Sequence, residues 1–247
     1  MNTTNTTNFK YYKYFNIGLL VCILRPEGGL VGQKVNPRGF RLGFVYTWSS
    51  RWFPQRGQYE KLVLEDSKIR KALLQKLRPA GIARVEIERS INAMILTIHV
   101  ARPGVVIGRG GAGLDELKGY ILSLLAKKHA KKDSGPKIDL RIEPVKDPAL
   151  DAYLMATNIA DMLGKRMHYK RVLKQSLERI MQSGAKGGRI LLSGRIAGAE
   201  IARREKVQAG KLPLSTIREQ IDFASVPALT KSGYVGVKVW INRPEGK

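Results

Sequence analysis

Val105-Val106-Ile107-Gly108-Arg109-Gly110-Gly111-Ala112-Gly113-Leu114 is the stretch on which the reading of this chain turns. A short apolar step runs into a glycine-rich turn, and a helical pattern follows with Leu114, Leu117, Ile121, Leu124 and Leu125 on one face. As letters, Gly108, Gly110 and Gly113 satisfy G-x-G-x-x-G, the dinucleotide fingerprint. That fingerprint needs a strand leading straight into the turn and an acidic residue about 20 positions later at a strand end. Here Arg102-Pro103-Gly104 breaks the preceding strand, and Asp133 lies among lysines. No G-x-x-x-x-G-K-[ST] occurs either, which argues against a nucleotide-driven enzyme. Two readings remain: an ordinary glycine turn, or a G-x-x-G loop, Gly108 to Gly111, joining two helices beside a sheet and open to a nucleic-acid strand. Its glycines admit a single strand close to the backbone, and the amides opening the next helix meet phosphates.

Outward from the loop, Leu62, Ile69, Leu73 and Leu77 recur at helical spacing from Tyr59, and Pro79 with Gly81 ends that helix. Ala83, Val85 and Ile87 then alternate with Arg84, Glu86 and Glu88. After a turn at Ser90–Ala93 the alternation resumes with Met94, Leu96, Ile98 and Val100. This pattern predicts a hairpin with one buried face. Beyond the long helix come Lys127, Lys128, Lys131 and Lys132, a stop at Asp133-Ser134-Gly135-Pro136, and a third strand through Ile138, Leu140 and Ile142. A second unit opens at Asp147-Pro148, read as an N-cap with proline at the first helical position. Met155, Ile159 and Met162 stripe its first helix. Leu173, Leu177, Ile180 and Met181 stripe a second, from about Tyr169 to Ser183, with Gly184 as C-cap. A β pattern follows in Arg189–Ser193, in Ile201–Val207 and in Val235, Val237, Val239 and Ile241. The expected class is α+β, with two helices on a mainly antiparallel sheet in the second unit.

The 247 residues carry 44 lysines and arginines against 20 acids, a net charge of +24. The surplus is +2 over residues 1–30, +13 over 31–137 and +9 over 138–247, so the whole body is basic rather than one tail. Such a chain repels itself unless a polyanion neutralises it, which points to nucleic acid. One cysteine, Cys22, excludes a disulfide framework and a cysteine-based zinc site, and three scattered histidines do not make a metal centre. No cofactor is expected. The apolar run from Ile17 to Leu24 is too short to span a bilayer, which needs about 20 residues. No membrane partner is expected.

The element order with its G-x-x-G loop resembles a type II KH domain, helices on a three-stranded sheet. The resemblance extends through Gly32-Gln33-Lys34-Val35-Asn36-Pro37-Arg38-Gly39-Phe40-Arg41-Leu42-Gly43, Ala101–Gly108, Gly184-Ala185-Lys186-Gly187, Ser193–Arg203 and Gly233–Ile241. Over residues 31–247 the chain is similar to the bacterial small-subunit ribosomal protein S-three family. It divides accordingly into an extension (1–30), an N-terminal arm (31–58), a type II KH domain (59–145) and a C-terminal α+β ribosomal domain (146–247). Family chains normally begin with methionine at the position of Val31, so residues 1–30 read as a loosely ordered extension or as sequence translated from a start codon placed too early.

The resemblance implies a structural constituent of the small ribosomal subunit in the cytoplasm. Its partners would be 16S rRNA in the head, mRNA at the channel entrance, the head proteins numbered ten and fourteen, and proteins four and five at the entrance. It implies RNA contacts at Gly108, Arg109, Gly110 and Gly111. Lys170, Arg171 and Lys174 fall where the family carries its mRNA-unwinding residues; a further basic position is Gln175 here. Arg166 joins them at i, i+4, i+8 with Lys170 and Lys174, provided that the helix continues through His168. Lys127, Lys128, Lys131, Lys132, Arg195, Arg203, Arg204 and Lys206 are the expected rRNA contacts. Cations along a channel hold single-stranded phosphates and favour the open strand over the duplex. Trp48, Trp52 and Trp240 are candidates for base stacking, though burial is the commoner fate of tryptophan. The competing readings are a free KH-type regulator, which has no need of the Gly194–Arg203 signature, and a DNA-nicking enzyme. The latter lacks any carboxylate cluster or nucleophile–base pair.

Overall fold

The first core forms where two amphipathic helices cover one face of a sheet. In the computed structural model, residues 34–244 are described, apart from 56, 91–92 and 127–136. The 1–30 extension and Lys127, Lys128, Lys131 and Lys132 lie outside the described residues. Helix α1 is one turn, Pro37–Phe40, and β1 is Ser50–Arg51. Then follow α2 (Tyr59–Lys76), β2 (Ile82–Arg89), β3 (Ala93–Val100), α3 (Pro103–Ile107), α4 (Ala112–Ala126) and β4 (Lys137–Pro144). The sheet order is β1-β2-β3-β4, with β2 and β3 antiparallel and both outer pairings parallel. Ile69 and Leu73 of α2 and Leu117, Ile121 and Leu125 of α4 meet Val85, Ile87, Met94, Leu96, Ile98 and Val100.

Two details depart from the sequence reading. The three strands gain a fourth, because the arm adds β1 alongside β2. A register shift between Ile82 and Arg84 turns Ile82 inward, leaving Ala83 only half-buried.

The second core lies between α5 (Ala152–Gly164) with α6 (Tyr169–Gln182) and a wholly antiparallel sheet. Its strands are β5 (Gly187–Gly194), β6 (Arg203–Gly210), β7 (Ile221–Thr230) and β8 (Gly233–Asn242), in the order β6-β5-β8-β7. The N-cap of α5 is Asp151, which accepts from the amides of Tyr153 and Leu154. Asp147-Pro148 opens a single 3-10 turn instead. Asp151 wins because its carboxylate also pairs with Arg243, which binds Asp222 as well, and Asp222 accepts from the Ala152 amide. Burial and the neighbouring Asp222 push the Asp151 carboxyl up against the pull of Arg243.

From Asn36 onward the chain is one compact unit, stitched by its arm. Asn36 caps α1 and Pro37 occupies its first turn. That sets Arg41 fully buried, donating to the carbonyls of Pro37, Pro213, Leu214 and Thr216, the last at 2.7 Å. A few residues on, the Trp52 indole donates to Asp66 at 2.8 Å, and Arg70 donates to Ser49 and Ser50. Arg89, at the end of β2, pairs with both Glu65 and Asp66 on buried α2 positions. The arm thus grips the second domain with one arginine and the first with a buried ion cluster.

Candidate nucleic-acid interface

The G-x-x-G loop is set by the packing of α4 on α3. The Gly108 amide donates to the Gly104 carbonyl at 3.0 Å, ending α3, and Gly108 then turns to φ 71°. A Cβ on Gly113 would stand 2.5 Å from the Val106 carbonyl oxygen, so the first turn of α4 sits directly against the end of α3. The three glycines of the apparent fingerprint therefore serve a helix–helix turn, not a strand–helix cradle. Gly108 and Gly110 are exposed, Arg109 and Gly111 complete the turn, and Val105 (56%) and Ile107 (37%) leave an apolar wall open beside it. Backbone polarity next to exposed apolar surface suits a single nucleic-acid strand.

On α6, Val172, Leu173, Ser176, Leu177 and Ile180 are buried, which turns Lys170, Arg171 and Lys174 to solvent. None of the three has an acidic partner among the described residues. Arg166 does not extend this row. Helix α5 ends at Gly164, Arg166 takes φ 60°, and α6 starts afresh at Tyr169. The expectation of one helix through His168 is corrected by that left-handed link, where the Arg166 amide donates to the Leu163 carbonyl. His168 caps α6 without a side-chain bond and stacks on Tyr169 at 5.2 Å.

The second-domain cations divide by position. Arg203, Arg204 and Lys206 are exposed on β6, an edge strand, where charges also prevent strand-to-strand association. Alternation puts Arg204 and Lys206 on the face away from the helices, and Arg203 on the other. Arg195 is exposed too, yet its Nε is tied to the Ala199 carbonyl at 3.0 Å. Of the tryptophans, Trp240 is buried between Phe223 and Arg189, Trp52 is held by Asp66, and Trp48 alone is largely exposed. Sequence periodicity missed Lys231, which shares a cavity with Arg166; it stands in the β7–β8 turn, where no period operates. Among the described residues no helix is long and apolar enough to cross a membrane, and no group of three potential metal ligands is found.

Two family models match the chain, one in each half. Residues 68–150 match the family model described as KH domain, and residues 159–241 match that of ribosomal protein S3, C-terminal domain. "Small ribosomal subunit protein uS3" of Carboxydothermus hydrogenoformans is 45% identical over 215 residues, 87% of this chain and 93% of the relative. The protein of the same name from Caldicellulosiruptor bescii is 46% identical over 211 residues, 85% and 91% of the two chains. That of Desulforudis audaxviator is 46% identical over 215 residues, 87% and 94%. The similarity runs through the KH loop and the second sheet alike, which a free KH regulator would not require: the chain belongs to the uS3 family of ribosomal proteins.

Proposed function

We propose that this chain is built into the head of the small ribosomal subunit on 16S rRNA and lines the channel where mRNA enters, holding the message single-stranded. As a member of the uS3 family it is a small-subunit ribosomal protein rather than an enzyme. In this reading residues 31–58 act as an arm, 59–145 as the KH domain and 146–247 as the ribosomal domain. Lys127, Lys128, Lys131, Lys132, Arg195, Arg203, Arg204 and Lys206 are assigned to rRNA phosphates, and the head proteins ten and fourteen and the entrance proteins four and five are the neighbours. The working compartment is the cytoplasm.

The observation that carries the channel role is the trio Lys170, Arg171 and Lys174, exposed on a well-buried helix and unpaired among the described residues. Unpaired cations on a rigid support bind phosphates without first breaking an ion pair. Replacing all three with alanine is expected to leave subunit assembly intact and to slow translation through a hairpin-bearing message, with little change on an unstructured one. Equal rates on both messages would sink the role.

A further inference from the structure

A cavity of about 390 Å³ opens where the α5–α6 link, the corner after β5 and the β7–β8 turn converge. One water takes up about 30 Å³ and ligand pockets run from roughly 300 Å³ upward, so this is space for a molecule rather than for hydration alone. Its floor is apolar, made by Leu163, Leu192, Ile196 and Val235. Its rim is cationic: Arg166 and Lys231 are exposed, and neither has an acidic partner among the described residues. His168 and Tyr169 add a stacked aromatic pair. The two non-glycine residues with positive φ among the described residues, Arg166 and Ala197, both line it.

An apolar floor beneath a cationic rim selects a flat, weakly polar body attached to an anion. A nucleobase on its phosphate has that chemistry, and unstacked bases of single strands are the form of RNA that aromatic pockets take. Tyr169 both lines the cavity and begins α6, and Lys170 follows it. The nearest of the α6 cations is thus one residue from the cavity lining. We propose that this cavity receives one unstacked base of the messenger strand, with its phosphate on Arg166 and Lys231. The inference rests on the channel reading above and adds a base-binding site to its phosphate contacts.

The test uses the full chain and two single-stranded RNA oligonucleotides of equal charge, one bearing a fluorescent aminopurine and the other abasic at that position. The intact strand is expected to bind about tenfold tighter, as one stacked base warrants, and its fluorescence to change on binding. Ser232 also lines the cavity; Ser232→Phe, which would take up part of its space, should abolish the difference and leave the abasic affinity unchanged, and Lys231→Gln should weaken the intact strand more than the abasic one. Equal affinity of the two strands for the unaltered protein overturns the cavity while leaving the channel reading standing. Failure of the triple α6 alanine variant to weaken either strand overturns the channel reading itself. In programmed subunits, a thiouridine-labelled message should crosslink to the 166–169 link. Exclusion of the message by rRNA crosslinked at that link would overturn the messenger assignment.

Discussion

The outer face of the first sheet and the outer face of α6 carry similar numbers of cations and use them differently. On the sheet, Arg51 and Arg84 both reach Glu86, Arg51 also reaches Glu88, and His99 lies between Glu86 and Glu143. On α6, Lys170, Arg171 and Lys174 are exposed and have no acidic partner among the described residues. A net charge of +24 thus favours a polyanionic partner, whereas local pairing separates the surfaces already neutralised from those that are not. A phosphate approaching the sheet must displace a carboxylate already in contact; on α6 it displaces only counterions.

The strongest way to break that contrast is through salt. Removing the three α6 cations should flatten the log–log salt dependence of single-strand binding by about 2, as three phosphate contacts at roughly 0.7 each require. An unchanged slope would show that these side chains meet no phosphate. Next in size, Glu86→Gln with Glu88→Gln releases Arg51 and Arg84 and should raise non-specific RNA affinity by less than about tenfold. If affinity does not rise, pairing is not what silences the sheet. The smallest effect concerns acid stability. Burial pushes the Glu86 carboxyl up, but Arg84, the Arg51 hydrogen bond and His99 outweigh it, and its pKa falls below the ordinary 4.5. The pairing therefore stabilises the fold above pH 4.5, and that contribution is lost as pH drops through the lowered value. Glu86→Gln should cost under about 1 kcal/mol near neutrality, with the gap closing in acid. A gap independent of pH in denaturant melts would contradict this.

Most of the element order was legible because each helix and hairpin strand obeys its own period. What was not legible depends on distant partners. Strand β7 escaped notice since Pro227 interrupts it; an edge strand tolerates a proline whose nitrogen faces no neighbour. The left-handed turn at Arg166 carries no signal of its own, as arginine is an ordinary helix former, although Gly164 just before it is a helix-stop letter. Asp151 and Asp147 are equally good caps by letter, and only Arg243 and Asp222, far along the chain, favour one. In the candidate site, α6 could be read from its apolar stripe and its resemblance. The cavity could not, for its walls come from three separate turns.

Arg41 has a consequence for the order in which the molecule is made. Its acceptors Pro213, Leu214 and Thr216 lie 172 to 175 residues further along, so the guanidinium is synthesised long before the carbonyls that satisfy it. At 5–20 residues per second the wait is roughly 9–35 s, during which the first domain has time to form around its own local contacts. β7 and β8 come later still, so the arm's contact is made with a second domain not yet complete, and a nascent chain truncated before Pro213 leaves that arginine without its second-domain acceptors.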